Sequence, residues 1–190
     1  MPSLPESPEK TRILADAARA RELLLTGTAR EVLARIVPED PLGLRARLRA
    51  RIRARALLVE VEHVCLRAQA LCSWHASSWR GEPELERWLD LRVEEALAAV
   101  VAEEPWEGEG DPPLASFAAP LCLDPRDLAR ACARFNRLPF EQREAFFAVV
   151  LDAVAADRLA RARNLSLSEL ARRARSALEV FRRAAQPSSR

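Results

Sequence analysis

The chain has 190 residues, enough for one domain or two small ones, and 49% of them are hydrophobic, so it can bury a core. It has no Tyr and only 5 Gly, while Ala, Leu and Arg dominate, which favours helices and argues against a β-sandwich or a doubly wound sheet. The net charge of +2 excludes a strong overall field for nucleic acid, so any such role must rest on a local patch.

The opening MPSLPESPEK lacks an apolar signal core, and no run approaches the length of a membrane span. The expectation is a cytoplasmic protein, away from membranes, with its cysteines reduced. Residues 1–9 read as a loose tail. Thr11 to Leu25 predicts an amphipathic helix with Ile13, Leu14, Ala17, Ala18 and Leu24 on one side. Thr26-Gly27-Thr28 breaks it. A second helix is expected from Thr28 to Val37, ending before Pro38, with a turn from Pro38 to Gly43.

Next comes LRARLRARIRARA. The alternation suggests a strand, but Ala and Arg are good helix formers and poor strand formers. On a helix the arginines form two rails, Arg45/Arg49/Arg53 and Arg47/Arg51/Arg55, with Leu44, Leu48 and Ile52 between them. Such a row of like charges needs anionic neighbours. Three sources remain open: the chain's own Glu-rich segments, a partner's carboxylates, or nucleic-acid phosphate.

Leu57 to Leu71 predicts a buried helix carrying Val59, Val61, Val64, Cys65, Leu66 and Leu71. Trp74, Trp79 and Trp88 follow, each a core filler or a stacking platform. After a break at Gly81 and Pro83, a helix is expected from about Glu84 to Ala102, burying Leu85, Trp88, Leu89, Val93, Leu97, Val100 and Val101. Glu103 to Pro125 concentrates Gly, Pro and acid and reads as a linker.

The stretch from Leu138 to Arg183 predicts three helices. Pro139 suits a first helical turn, and Phe146, Phe147, Val150, Leu151 and Val154 recur at helical spacing. A second helix runs roughly from Asp157 to Arg163, and Asn164 supplies the left-handed residue of a sharp turn. Ser166 and Glu169 form an S-x-x-E capping box for a third helix. Leu167, Leu170, Ala171, Ala174, Leu178 and Phe181 make its apolar stripe. Ser168, Arg172, Arg173, Arg175, Ser176, Arg182 and Arg183 lie away from that stripe. Helix, tight turn and capped basic helix is the order by which a helix-turn-helix enters the major groove. It is equally the order of a packing unit with a solvated arginine face.

His63, Cys65, Cys72 and His75 fall on one helix and span too many turns to converge on one zinc ion, so no metal site is expected. Cys122 and Cys132 read as core or linker residues. With no phosphate loop, zinc-hydrolase motif or nucleophile elbow, the chain is expected not to be an enzyme and to use no cofactor.

LPFEQREAFF resembles the opening of region 4 in bacterial sigma factors of the extracytoplasmic-function type. Asn164-Leu165-Ser166 stands where that family has a Gly-Ile-Ser turn, Ala160 where it keeps a small residue, and Arg173 at a basic position of its recognition helix. CLRAQAL and WRGEPELERWL are similar to the region 2 patterns FLRAWRAL and FRG-x-x-x-L-x-x-W-L. The resemblance covers roughly residues 23–104 and 125–183. It implies an all-α fold of two small helical domains: a tail and helix at 1–22, a region 2-like bundle at 23–104, a linker at 105–124 and a region 4-like helix-turn-helix at 125–190.

The same resemblance implies a transcription initiation protein. Core RNA polymerase would be bound through Arg45, Arg47, Arg49, Arg51, Arg53, Arg55, Glu60 and Glu62. Double-stranded promoter DNA would be docked through Ser168, Arg172, Arg173, Arg175 and Ser176. A regulatory, anti-sigma-like protein is a further expected partner. This sequence departs from the family at several points. The family's helix after Trp-Leu is basic, whereas here Asp90, Glu94, Glu95, Glu103 and Glu104 face Arg92 alone. Leu58 and Val59 replace an acidic pair, and Glu169 and Ala171 replace polar and basic residues near the start of the recognition helix. These departures support an alternative, a degenerate sigma-like adaptor that binds a protein and has lost promoter recognition.

Overall fold

A computed structural model describes residues 18–103, 114, 118, 123–152 and 156–184. Among these residues all regular structure is helical, as the composition predicts. The expected N-terminal tail, the start of the first helix, most of the expected linker, Cys122 and Val154 lie outside the described residues.

The helices, in chain order, are α1 (residues 18–26), α2 (Ala29–Glu39), α3 (Leu44–Ala54), α4 (Val61–Ala76), α5 (Leu85–Ala102), α6 (Pro125–Asn136), α7 (Phe140–Phe146), α8 (Ala156–Ala162) and α9 (Leu167–Ala184). The chain divides into two compact units. One comprises Met1–Arg49 and Val61–Val100; the other comprises Ala50–Glu60 and Val101–Arg190. The domain ranges implied by the resemblance are each contiguous, whereas these units interleave in sequence.

In the first unit, Thr28 caps α2 through a complete capping box with Glu31. The helix runs past its expected end: Pro38 lies within its last turn. A proline there removes only one helical hydrogen bond, so the penalty of an interior proline is reduced. Asp40, left-handed at φ 44°, closes α2. Its carboxylate accepts from the backbone N–H groups of Leu44 (2.8 Å) and Arg45 (3.0 Å), so one residue ends α2 and caps α3. Leu44 and Leu48 are fully buried, as the rail pattern requires.

The predicted start of the next helix is wrong by four residues: α4 begins at Val61 rather than Leu57. Ala56 adopts a left-handed conformation (φ 48°) that ends α3, and Leu57 donates back to the Ile52 carbonyl at 3.1 Å. Helix α4 packs on α2. It buries Val64, Cys65, Ala68, Gln69 and Cys72, while Leu66 is exposed, contrary to expectation. Gln69 donates to the Ile36 carbonyl at 3.0 Å. Trp79 stacks on Trp88 at 5.4 Å and donates its indole N–H to the Pro83 carbonyl. Trp74 is 78% exposed.

The second unit is built on aromatic packing. Phe135 of α6 lies 5.1 Å from Phe146 and 5.7 Å from Phe181 of α9, all measured between ring centroids. Pairs at such distances add about 0.5–1.5 kcal/mol beyond area burial. The segment 50–60 belongs to this core. Leu58 packs against it, and the Leu58 peptide is gripped by the Asn136 side chain. Leu58 N–H donates to Asn136 Oδ1 at 2.8 Å, and Asn136 Nδ2 donates to the Leu58 carbonyl at 3.0 Å.

After α7 the backbone widens into a π-helical turn over Phe147–Leu151, with Asp152 N–H reaching the Phe147 carbonyl at 2.7 Å. The widening rotates the predicted stripe. Ala145, Phe146 and Ala148 are buried, whereas Val150 and Leu151 are about half exposed.

Candidate nucleic-acid interface

Helices α8 and α9 follow one another across a tight turn. Helix α8 ends as the turn chemistry predicts. Asn164 is left-handed (φ 52°), and Leu165 N–H returns to the Ala160 carbonyl at 2.8 Å. Ser166 Oγ then accepts from Glu169 N–H at 3.1 Å and starts α9. The reciprocal half of the expected box is replaced: the Glu169 carboxylate is taken by Arg172 and Arg173. Ala145, Ala160, Leu170 and Ala174 form the core under the turn, backed by Val149, Ala156 and Leu159. An ion pair from Arg163 to Glu144 ties the end of α8 to α7.

The stripe of α9 lies to one side of the predicted one. Leu170, Ala174 and Ala177 are buried, with Phe181 packed beside Phe135, whereas Leu167 and Leu178 are 55% and 48% exposed. At about 100° per residue, the opposite face carries Ser168, Arg172, Arg175, Ser176, Glu179 and Arg183. The structure therefore brings Ser168, Arg172, Arg175 and Ser176 to one exposed face. Arg173 sits on the flank, and only 25% of its side chain is exposed. Arg172, Arg175, Ser176, Glu179 and Arg183 share an open groove with Gln142 of α7.

Two carboxylates organise this face. Glu169 accepts Arg172 Nε and Nη2 at 2.9 and 2.8 Å and Arg173 Nε at 2.8 Å. Glu179 accepts Arg182 Nε and Nη2 at 2.7 and 2.9 Å and Arg183 Nε at 3.2 Å. The hydrogen bonds from Arg172 and Arg173 hold the Glu169 carboxyl down at about 2. Those from Arg182, chiefly, lower that of Glu179. The signal is present in the sequence as E-x-x-R-R at 169–173 and again at 179–183, the spacing at which helical side chains meet.

The other predicted surface is largely occupied by the chain's own acids. Arg45 Nε bonds both Glu62 oxygens at 3.0 and 3.1 Å, Arg47 pairs with Glu86 and Asp90, and Arg53 lies 3.0 Å from Asp152. Arg51 and Arg55 also interact within the chain. Arg49 and Glu60 are exposed. Of the three anion sources open to the rails, intramolecular carboxylates are the one observed for Arg45, Arg47 and Arg53. This also gives acids of α5 a role: Glu86 and Asp90 neutralise Arg47.

Among the described residues no group of His, Cys, Asp and Glu is arranged to hold a metal ion. Cys65 and Cys72 are buried, and that burial pushes their thiols up to about 11 and 12. Among the described residues no helix is long and apolar enough to cross a membrane. Comparison with known proteins yields no matching family model, no matching curated protein and no matching solved structure.

Proposed function

We infer that the chain is a sigma-factor-like transcription protein that docks duplex DNA through α9 and engages core RNA polymerase through α3 and the segment that follows it. One observation carries the DNA half of this reading. The exposed face of a capped helix, set behind a left-handed Asn turn, holds Ser168, Arg172, Arg175 and Ser176 together. Arginine there suits both phosphate and the guanine edge. Its role is recruitment and docking, with no covalent chemistry. The polymerase half rests on the region 2 resemblance, supported by the exposed Trp74, Arg49 and Glu60. A run-off assay with core polymerase and genomic fragments tests the whole reading: discrete transcripts that depend on the protein support it, and none at any fragment contradicts it.

The adaptor reading is favoured by a different observation. Glu169 and Glu179 occupy Arg172, Arg173, Arg182 and Arg183. Rail arginines are likewise held by internal acids. A surface so neutralised suits a protein partner. Capture from native extract separates the two: polymerase subunits as the main partners favour the first reading, and an unrelated protein without polymerase favours the second.

A further inference from the structure

Each carboxylate of the E-x-x-R-R repeats sits where an external oxyanion would sit. Three guanidinium N–H groups converge on Glu169 within 2.9 Å and three on Glu179 within 3.2 Å. That is the bidentate geometry arginine offers to phosphate. Arg172 from one cluster and Arg183 from the other line the same groove, with Arg175 and Ser176 beside them. A phosphate strand laid along this groove would therefore meet arginines already holding anions. It would also meet the Glu179 carboxylate, which lines the groove too.

We propose that Glu169 and Glu179 are internal competitors for phosphate, so that polyanion affinity of α9 is set by an exchange of carboxylate for phosphate at their arginine pairs. The idea rests on α9 being the nucleic-acid-binding element. The exchange is feasible because the pairs lie at the helix surface, where solvent and salt screen them. Phosphate delivered by a polyanion brings counterion release, which these pairs lack. With the carboxylates kept ionised by their arginines, the competition operates across the neutral pH range. The consequence is a helix that holds polyanions weakly unless additional contacts, such as base edges or a bound partner, favour the exchange.

The test uses the full chain with Glu169→Gln, Glu179→Gln and the double variant, each checked for native helicity. Gln keeps the shape and helix propensity and removes the charge. Two probes are titrated over a salt series: a labelled random-sequence duplex and heparin, a polyanion without bases. Each single variant is expected to bind both probes about three- to tenfold more tightly near 0.1 M salt, and the log–log salt slope should steepen by about one, as for an added phosphate contact. Tighter heparin binding with no duplex binding by any variant supports the exchange and removes the DNA reading. Duplex binding at wild-type affinity and slope in all variants overturns the exchange and leaves the DNA reading standing. Weaker binding by the variants, or none to either probe by any of the proteins, also overturns it.

Discussion

Asn136→Ala removes the clasp that fastens residues 50–60 into the second unit. Two hydrogen bonds disappear, at 2.8 and 3.0 Å, leaving the Leu58 N–H and carbonyl without their partner. An orphaned buried polar group costs about 1–3 kcal/mol. Leu58 is only partly buried, so water recovers part of each. The expected loss is about 2 kcal/mol, roughly a thirtyfold rise in local opening. Amide hydrogen exchange at Leu58, read by NMR in the full chain, measures that opening directly. Asn136→Asp keeps an acceptor for the N–H but lacks the donor, so its effect on the Leu58 amide should be smaller. Equal exchange rates at Leu58 in the wild type and the Ala variant would refute the reasoning.

Two further outcomes follow from local geometry. A Cβ at Gly27 would stand 2.6 Å from the Leu23 carbonyl oxygen, so Gly27→Ala should destabilise the first unit by about 1–2 kcal/mol; an unchanged denaturation midpoint followed by Trp fluorescence contradicts this. Cys65, Cys72 and Cys132 are buried, and burial raises their thiols to about 11, 12 and 12. In a Cys122→Ser background, a thiol reagent at pH 8 should modify them only as fast as the protein opens. Their folded-state values lie above the ordinary thiol value, so the folded state binds these protons more tightly. Their contribution to stability is intact below about pH 8.5 and is lost as pH rises toward 11 and 12. A rate faster than opening, or stability that does not fall in that alkaline window, contradicts the placement of these residues.

Much of the local fold was legible because it is coded locally. Thr28 as the start of a helix, Asn164 as a turn residue and Ser166 as a cap are short-range signals, and each marks a helix boundary in the structure. The Leu44, Leu48 and Ile52 row outweighed the alternating arginines because apolar burial, rather than charge spacing, fixes the helix face. The failures have equally physical causes. Ala56 ends α3 in a left-handed conformation that its side chain does not advertise, so the apolar run from Leu57 suggests an earlier start for α4 than the structure has. The π-turn shifts the face of Phe147–Leu151 without any proline or glycine to announce it. Leu167 and Leu178 were assigned to the core by residue type, but their angular position on α9 leaves them exposed while small Ala177 is buried. The Leu58–Asn136 clasp joins residues 78 apart in sequence, and no local pattern encodes such a pair. At the site, residue identities were legible but their charge state as a surface was not. Sequence spacing gives the arginine face; the E-x-x-R-R spacing permits the carboxylate contacts, and the structure shows each carboxylate taking three guanidinium N–H bonds.

The proposed contact of the exposed α9 face with duplex DNA can be read directly in solution. The most direct measurement is a fluorescence-anisotropy titration of a labelled duplex across a salt series, with the wild-type chain and Arg172→Ala/Arg175→Ala. The variant is expected to bind at least about tenfold more weakly, with a log–log salt slope shallower by about one, for the phosphate contact of Arg175, since Glu169 holds Arg172 in the wild type. Wild-type affinity and slope in the double variant would contradict it.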